Sequence, residues 1–332
     1  MHSSISSSEP ADRPTLPAKT NSQVRRATIA LIASVVVVIL SAEVLSRYAF
    51  PRISQIEGRI ESDEREAMSI GAPVPHSPPT VLLVGNSLLM RGLDYPRIQT
   101  EMAPDARVLR FAIENTEYLD WYYGLRHLFA SGARPSTVVL CLNLGQTISS
   151  RTLGDYSARH LFGVAELLPV AHAAGMDATR TSGFFLAHWS SFYSSRATIR
   201  NFILNKTAPA YAGAMHALAD APGSRIPPDE ETINKARIRL DAIRQLCLQN
   251  GVELVLLIPP SLGGQNALLA SAATLEHVNF DYPLPRGALG PEFFADGTHL
   301  NPKGAAVFTE AIARCLRARL GQAREIPAAG RW

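Results

Sequence analysis

Short apolar runs alternate with segments of helical spacing, and this alternation limits the fold more than any other feature of the chain. The runs are too short to be helices and are bounded by Gly, Pro or charged residues. The predicted strands lie at 80–84, 107–113, 137–142 and 252–258, and the predicted helices lie at 95–102, 118–131, 229–250 and about 302–320. This order predicts an α/β domain with a mainly parallel sheet and helices on both faces.

A serine follows the first predicted strand. Ser87 comes two residues after Gly85, which ends the apolar run, so its hydroxyl is expected at the carboxyl edge of the sheet. Open α/β sheets bind their ligands at that edge. Taken alone, a serine after a glycine is more often a turn residue than a nucleophile.

A second polar segment, Asp296-Gly-Thr-His299, precedes the last predicted helix. Asn301 and Pro302 are typical of a helix start, because Asn caps free backbone N–H groups and Pro is tolerated at the first helical position. A serine nucleophile needs a base within hydrogen-bond reach and a third group that orients the base. Ser87, His299 and Asp296 are therefore the predicted nucleophile, base and acid.

The two segments together resemble the SGNH/GDSL hydrolases, in particular membrane-anchored bacterial esterases and O-acyltransferases. The resemblance covers residues 81–320, with its specific motifs at the two ends, and implies a flavodoxin-like three-layer α/β/α sandwich. It assigns the catalytic roles to Ser87, Asp296 and His299, and oxyanion-hole donors to the Ser87 N–H and Asn143, with Asn115 or a neighbouring backbone N–H as the substitute for the family's second-block Gly. The chain departs from the family pattern in two places: Asn86 replaces the usual Asp, and 108–116 lacks the usual Gly.

The resemblance implies a serine esterase or O-acyltransferase that acts on ester groups, with acetyl as the first expectation, of cell-envelope or exported polysaccharide. The expected partners are an acylated carbohydrate or small ester, the inner membrane, and proteins of polysaccharide biosynthesis or export. The missing Gly motivates an alternative, a catalytically weak or inactive glycan-binding or assembly protein with the same fold.

The N-terminal region predicts a membrane anchor. Residues 1–24 are rich in Ser, Pro and Thr and predict a disordered tail, whereas 25–46 contain an uncharged run from Ala27 to Ala42. An uncleaved single-pass helix is favoured over a cleavable signal peptide, because no small-x-small cleavage pattern follows the apolar run. The positive charges on the two sides of the run are nearly balanced, so it is the family resemblance that implies a bacterial inner membrane with the large domain outside the cytoplasm. Residues 47–79 predict a helical and Pro-rich linker, 80–322 the hydrolase-like domain, and 323–332 a C-terminal tail.

A mostly helical insertion is expected at about 149–224, with an aromatic patch that consists of Phe184, Phe185, Trp189, Phe192 and Tyr193. The patch could be a lid over the acyl pocket, a membrane-facing surface or core, and core is the default expectation. No His/Cys/Asp cluster has ligand spacing, so neither a metal nor a cofactor is predicted. The net charge is +3 without a basic stripe, so nucleic acid is not an expected partner.

Overall fold

The computed structural model describes residues 21–74, 77–208, 229–262 and 266–325. In the described part of the chain, five parallel strands form one sheet in the order β2-β1-β3-β4-β5. The strands are β1 Thr80–Gly85, β2 Arg107–Ala112, β3 Thr137–Cys141, β4 Glu253–Leu257 and β5 Asn279–Asp281. This strand order is that of the flavodoxin-like doubly wound sheets.

Helices precede the sheet, connect its strands and end the domain. The N-terminal helices are α1 Asn21–Val44, α2 Phe50–Ile53 and α3 Gln55–Met68, with a π-helical turn at Leu45–Ala49. Between β1 and β3 lie α4 Ser87–Gly92, α5 Tyr95–Met102 and α6 Tyr118–Ala130. After β3 come α7 Leu144–Ile148, α8 Asp155–His160, α9 Val164–Ala173, α10 Ala178–Trp189 and α11 Ser191–Thr207. The last helices are α12 Glu230–Gln249, α13 Asn266–Leu275 and α14 Pro302–Glu325.

Two apolar layers cover the two faces of the sheet. On one face, Leu82 and Val84 of β1 pack with residues of α6, α12 and α13. On the other face, Val81 and Leu83 pack with residues of α5 and α14. Alternate residues of β1 thus enter opposite layers, because successive side chains of a strand point to opposite faces of the sheet. The prediction of a three-layer α/β/α domain with a mainly parallel sheet is confirmed.

Four elements were absent from the sequence prediction. They are α4, α7, α13 and the edge strand β5, which pairs with β4 from Asn279 to Asp281. The terminal helix begins at Pro302 as predicted but extends to Glu325. These additions widen the sheet by one strand and place a helix start directly at Ser87.

The stretch Asn21–Ile53 is long and apolar enough to cross a membrane. Its most apolar window of 18 residues has a mean hydropathy of 2.5, and none of that window is buried against the rest of the chain. A signal sequence near an N-terminus has the same features. The helix begins at Asn21, ahead of the predicted boundary at residue 25, while residues 1–20 lie outside the described residues.

The segment predicted as a linker packs onto the domain at α3, so the expectation of a spacer at 47–79 is wrong there. Ile60 and Ala67 are buried in the same apolar layer as α6. Asp63 is also buried, where it pairs with Arg110 of β2 at 3.1 Å. Arg59 donates to the backbone oxygen of Ala112 at 2.7 Å. The many charged residues of α3 predict a solvated spacer, but several of them have partners in β2 and α8.

The insertion after β3 forms helices α8 to α11 in its described part, and residues 209–224 of it lie outside the described residues. Its aromatic patch divides between two environments. Phe184 is fully buried and packs on Phe162, with ring centroids 5.8 Å apart. Trp189 and Phe192 instead remain 56% and 44% exposed. The default expectation of core therefore holds for Phe184 and fails for the two residues at the junction of α10 and α11.

Candidate active site

Ser87 is the first residue of α4 and follows β1 through a tight turn. Asn86 caps this helix, since its side-chain oxygen accepts from Leu88 N at 3.0 Å. Its amide nitrogen donates to Thr116 O at 2.9 Å, and the side chain is fully buried. A Cβ on Gly85 would lie 2.8 Å from Cys141 O, so the turn requires the glycine. Sequence reasoning gave Asn86 little weight, although an Asn before a helix start is itself a capping signal.

A short loop before α14 holds Asp296 and His299. Phe294 and Leu300 form an antiparallel bridge, and Ala295 N donates to His299 O at 2.8 Å. Gly297 has a φ of +74°, a backbone conformation that favours glycine. Asp296 Oδ1 accepts from the backbone N–H groups of Thr298 and His299 at 3.1 and 2.7 Å. The loop therefore holds the carboxylate and the imidazole on one side.

The structure brings the three predicted side chains into one hydrogen-bonded row. His299 Nε2 lies 2.9 Å from Ser87 Oγ, and His299 Nδ1 lies 2.7 Å from Asp296 Oδ2. Both distances are normal for hydrogen bonds. The imidazole and the carboxylate remain 22% and 20% exposed. The hydroxyl and the imidazole come from residues 212 positions apart and meet at the carboxyl edge of the sheet.

The Asp296 carboxyl is held in its ionised form. Burial raises its pKa, but hydrogen bonds from the His299 backbone, the His299 ring and the Thr298 backbone lower it below the ordinary value. Arg91 of α4 also lies 3.7 Å from Asp296 Oδ2. An ionised carboxylate accepts the Nδ1 proton, which leaves Nε2 free to accept a proton from the Ser87 hydroxyl.

Asn143 follows β3 as Ser87 follows β1. Gly85 and Cys141 are register partners in the sheet, so Ser87 and Asn143 stand two residues beyond a paired position on neighbouring strands. The Asn143 oxygen caps α7 by accepting from Gln146 N at 2.9 Å. This cap uses only the side-chain oxygen of Asn143. The side-chain nitrogen of Asn143 is a hydrogen-bond donor, the kind of group that an oxyanion hole requires.

Asn115 lies on the loop after β2, and its backbone φ of 61° is unusual for a residue other than Gly. It is exposed and lines a cavity of about 900 Å³. Arg91, one helical turn after Ser87, lines the same cavity, which extends toward Tyr156 of α8 and Ser194 of α11. Sequence reasoning did not single out Arg91, since no motif marks it.

The described residues contain no group of three or more His, Cys, Asp or Glu side chains arranged to hold a metal ion. The candidate site accordingly consists of a hydroxyl, an imidazole, a carboxylate and nearby N–H donors. Such a set can carry out acyl transfer through a covalent ester.

Neither a scan against protein-family models nor a search of curated proteins found a match. Among solved structures, the chain is similar to a protein from Bacteroides fragilis named as an acylhydrolase, with 11% identity, a TM-score of 0.40, and 78% of this chain and 96% of that chain covered. It is similar to the esterase EstA from Pseudoalteromonas, with 11% identity, a TM-score of 0.37 and coverages of 73% and 99%. It is also similar to an acetylxylan esterase from Geobacillus stearothermophilus, with 10% identity, a TM-score of 0.36 and coverages of 74% and 94%.

Proposed function

We propose that this chain is a serine esterase or O-acyltransferase of the SGNH type. The observation that carries the proposal is the row from Ser87 Oγ through the His299 ring to Asp296, with contacts of 2.9 and 2.7 Å. A serine placed in this way at a strand end, with a base and an orienting carboxylate in reach, meets the requirements of nucleophilic catalysis.

In the proposed reaction, Ser87 Oγ attacks the carbonyl carbon of an ester while His299 Nε2 takes the hydroxyl proton. The Ser87 N–H and the Asn143 amide stabilise the oxyanion, and Asn115 stands nearby as a further donor. His299 returns the proton to the leaving alcohol, which leaves the acyl group on Ser87. Water or a sugar hydroxyl, deprotonated by His299, then releases the acyl group as an acid or a new ester.

The proposed substrate is an acylated carbohydrate, with an acetyl ester as the first choice. Arg91, which lies 3.7 Å from Asp296, lines a cavity of about 900 Å³, a volume within the usual range for sites that bind small molecules. Its lining mixes polar side chains such as Asn115 with the apolar Ile60 and Ile113, which suits a glycan that presents both hydroxyls and ring faces. In the full proposal, the acylated carbohydrate belongs to a polysaccharide of the cell envelope or of an export system. The proteins that synthesise or export that polysaccharide are the proposed partners.

The proposed location is the inner membrane, with α1 as an uncleaved anchor and the catalytic domain outside the cytoplasm. Contacts between the end of the apolar stretch and the domain support an uncleaved helix: Phe50 is buried and its ring lies 6.2 Å from that of Phe202. Resistance to alkaline carbonate extraction tests the anchor. A protease added to the outer side of sealed cells from which the outer membrane has been removed tests the orientation.

Labelling with a fluorophosphonate probe tests the chemistry. Wild type should form one adduct, Ser87→Ala should form none, and Ser131→Ala, at the exposed end of α6, should label like wild type. Failure of wild type to label under any condition would contradict the proposed esterase or acyltransferase activity and favour the glycan-binding alternative. Cleavage of 4-nitrophenyl acetate, with and without an oligosaccharide acceptor, then separates hydrolysis from transfer.

A further inference from the structure

The end of the apolar helix is bound to the junction of α10 and α11, which we call the helical corner (Trp189–Phe192). The Glu43 carboxylate accepts from Ser190 Oγ at 2.8 Å, from Ser191 N at 2.9 Å and from Phe192 N at 3.1 Å. Glu43 thereby caps α11 from a residue on a different helix. The corner is consequently fixed beside residue 43.

Arg47, one turn further along, makes the second link to the corner. It donates to Trp189 O at 3.2 Å and pairs with Glu43 at 3.0 Å. Arg47 and Glu43 thus neutralise each other while both contact the helical corner. A paired arrangement of this kind reduces the cost of placing two charges at the edge of an apolar medium.

The sequence of α1 sets the depth of this contact in a bilayer. The helix carries no charge from Ala27 to Ala42, and Glu43 and Arg47 are the first charged residues after it. At about 1.5 Å per residue the uncharged run is about 24 Å long, most of a hydrocarbon core of about 30 Å. The polar side chains that hold the corner therefore mark the level of the lipid headgroups.

The helical corner exposes side chains of the types that are common at the level of the lipid headgroups. Trp189 and Phe192 are 56% and 44% exposed, and Leu186, one turn before Trp189, is 50% exposed. On the neighbouring π-helical turn, Leu45 and Tyr48 are 62% and 58% exposed. Tryptophan and tyrosine concentrate at membrane–water interfaces, where an apolar ring and a polar edge are both satisfied.

We propose that the helical corner inserts Trp189 and Phe192 into the interfacial layer of the bilayer that α1 crosses, as a second attachment of the domain. This inference rests on the anchor proposed above but not on the proposed chemistry. One attachment lets a domain swivel, whereas two fix its orientation. Since Ser194 and Asn201 of α11 line the large cavity, that cavity lies within about 15 Å, along the helix axis, of the corner.

The consequence concerns substrate access. With the corner inserted, the cavity that Arg91 and Asn115 line is held close to the headgroup region, where a lipid-linked or newly exported glycan would pass. The corner is then neither a lid nor core, and its aromatic residues contact lipid instead of substrate.

Tryptophan quenching by brominated lipids tests the proposal on the full chain. The chain has three tryptophans, and Trp121 is buried in the domain. In vesicles with acyl chains brominated near the headgroups, wild-type emission should be quenched, and Trp189→Phe should lose most of this quenching. Trp332→Phe is introduced into every protein compared, so that the emission comes from Trp121 and Trp189.

A second variant separates lipid contact from simple exposure. Ile238 of α12 is 63% exposed, and α12 packs against α7, α13 and β4. The double variant Trp189→Phe/Ile238→Trp should therefore show no quenching by lipid beyond that of Trp189→Phe. Equal quenching of wild type and Trp189→Phe would overturn the proposal, as would equal quenching of Trp189 and of the tryptophan at 238.

Failure of the anchor would look different. If carbonate releases the full chain from vesicles, α1 does not cross the bilayer and the anchor itself fails. If the chain resists extraction while Trp189 is not quenched by lipid, only the second attachment fails. Labelling of Ser87 by fluorophosphonate reports on the chemistry independently of both.

Discussion

Two clusters in this chain are built from the same parts, an imidazole and carboxylates, and their surroundings differ. In the candidate site, His299 and Asp296 are 22% and 20% exposed, and the free ring nitrogen faces the Ser87 hydroxyl. In the second cluster, His160 of α8 and Glu57 of α3 are each 4% exposed and 3.4 Å apart. A histidine–carboxylate pair thus indicates a reactive site only where a nucleophile and access accompany it.

The partners of His160 explain what the second cluster does. His160 Nδ1 lies 2.8 Å from Glu64, and Tyr156 donates to Glu57 at 2.7 Å. Both carboxylates belong to α3, whereas His160 and Tyr156 belong to α8. The cluster therefore joins α3 to the insertion. Its loss should affect stability, whereas the loss of Asp296 should affect turnover.

The largest expected effect comes from Asp296→Asn. An amide at this position keeps the shape but can stabilise the wrong tautomer of His299, so kcat on 4-nitrophenyl acetate should fall by about 10⁴. Thermal unfolding should change little, because the side chain is partly exposed. A similar fall in kcat for His160→Gln, measured per folded molecule, would break the distinction between the two clusters.

The next effect is that of His160→Gln on stability. Removing the cation leaves Glu57 buried without a charged partner, and breaking a buried pair in this way costs about 3–5 kcal/mol. Urea unfolding of the detergent-solubilised chain measures the loss, and kcat/KM per folded molecule should equal that of wild type. The double variant Glu57→Gln/His160→Gln should recover part of the loss. Additive losses from the two substitutions would show that the pair is not coupled.

The two clusters were unequally accessible to sequence reasoning. Asp296 and His299 share one loop, and the apolar run before Ser87 located the hydroxyl at a strand end. Asn301 and Pro302 marked the helix start correctly, since capping is local. The pairing of Glu57 with His160 joins residues about a hundred positions apart, so a charged helix looked solvated. Strand β5 has only three residues, of which Phe280 alone is apolar, and carries no periodic signal.

A smaller effect on turnover is expected at Asn143. In Asn143→Ala the amide donor is lost, and removal of one oxyanion donor lowers kcat by about 10²–10³. The substitution also removes the cap of α7, which costs about 1 kcal/mol of stability. Gln146→Ala is the matched control. It removes the other hydrogen bond of the same cap, from Asn143 N to Gln146 Oε1 at 3.0 Å, and keeps the side-chain amide of Asn143. Equal kcat values for the two variants would remove Asn143 from the proposed oxyanion hole.

The last prediction concerns pH and the His160 cluster. Burial lowers the pKa of His160, but the hydrogen bonds and charges of Glu57 and Glu64 outweigh burial and raise the pKa from 6.5 to about 9. For Glu57, burial raises the pKa of the carboxyl. The interactions of Glu57 with His160 and Tyr156 outweigh burial, so the pKa of Glu57 lies below 4.5. The raised pKa stabilises the fold fully below pH 6.5, and this contribution is lost as pH rises to about 9.

On the acid side, the contribution of Glu57 is present above pH 4.5 and is lost as pH falls through the lowered pKa. On the alkaline side, His160 loses its proton in the folded chain as pH approaches its raised pKa. The free energy of unfolding of wild type, relative to His160→Gln, should therefore fall by about 3 kcal/mol between neutral pH and pH 10. Urea titrations of both proteins across that range measure the difference. If the two curves stay parallel, His160 is neutral in the folded chain and the join between α3 and α8 does not depend on its charge.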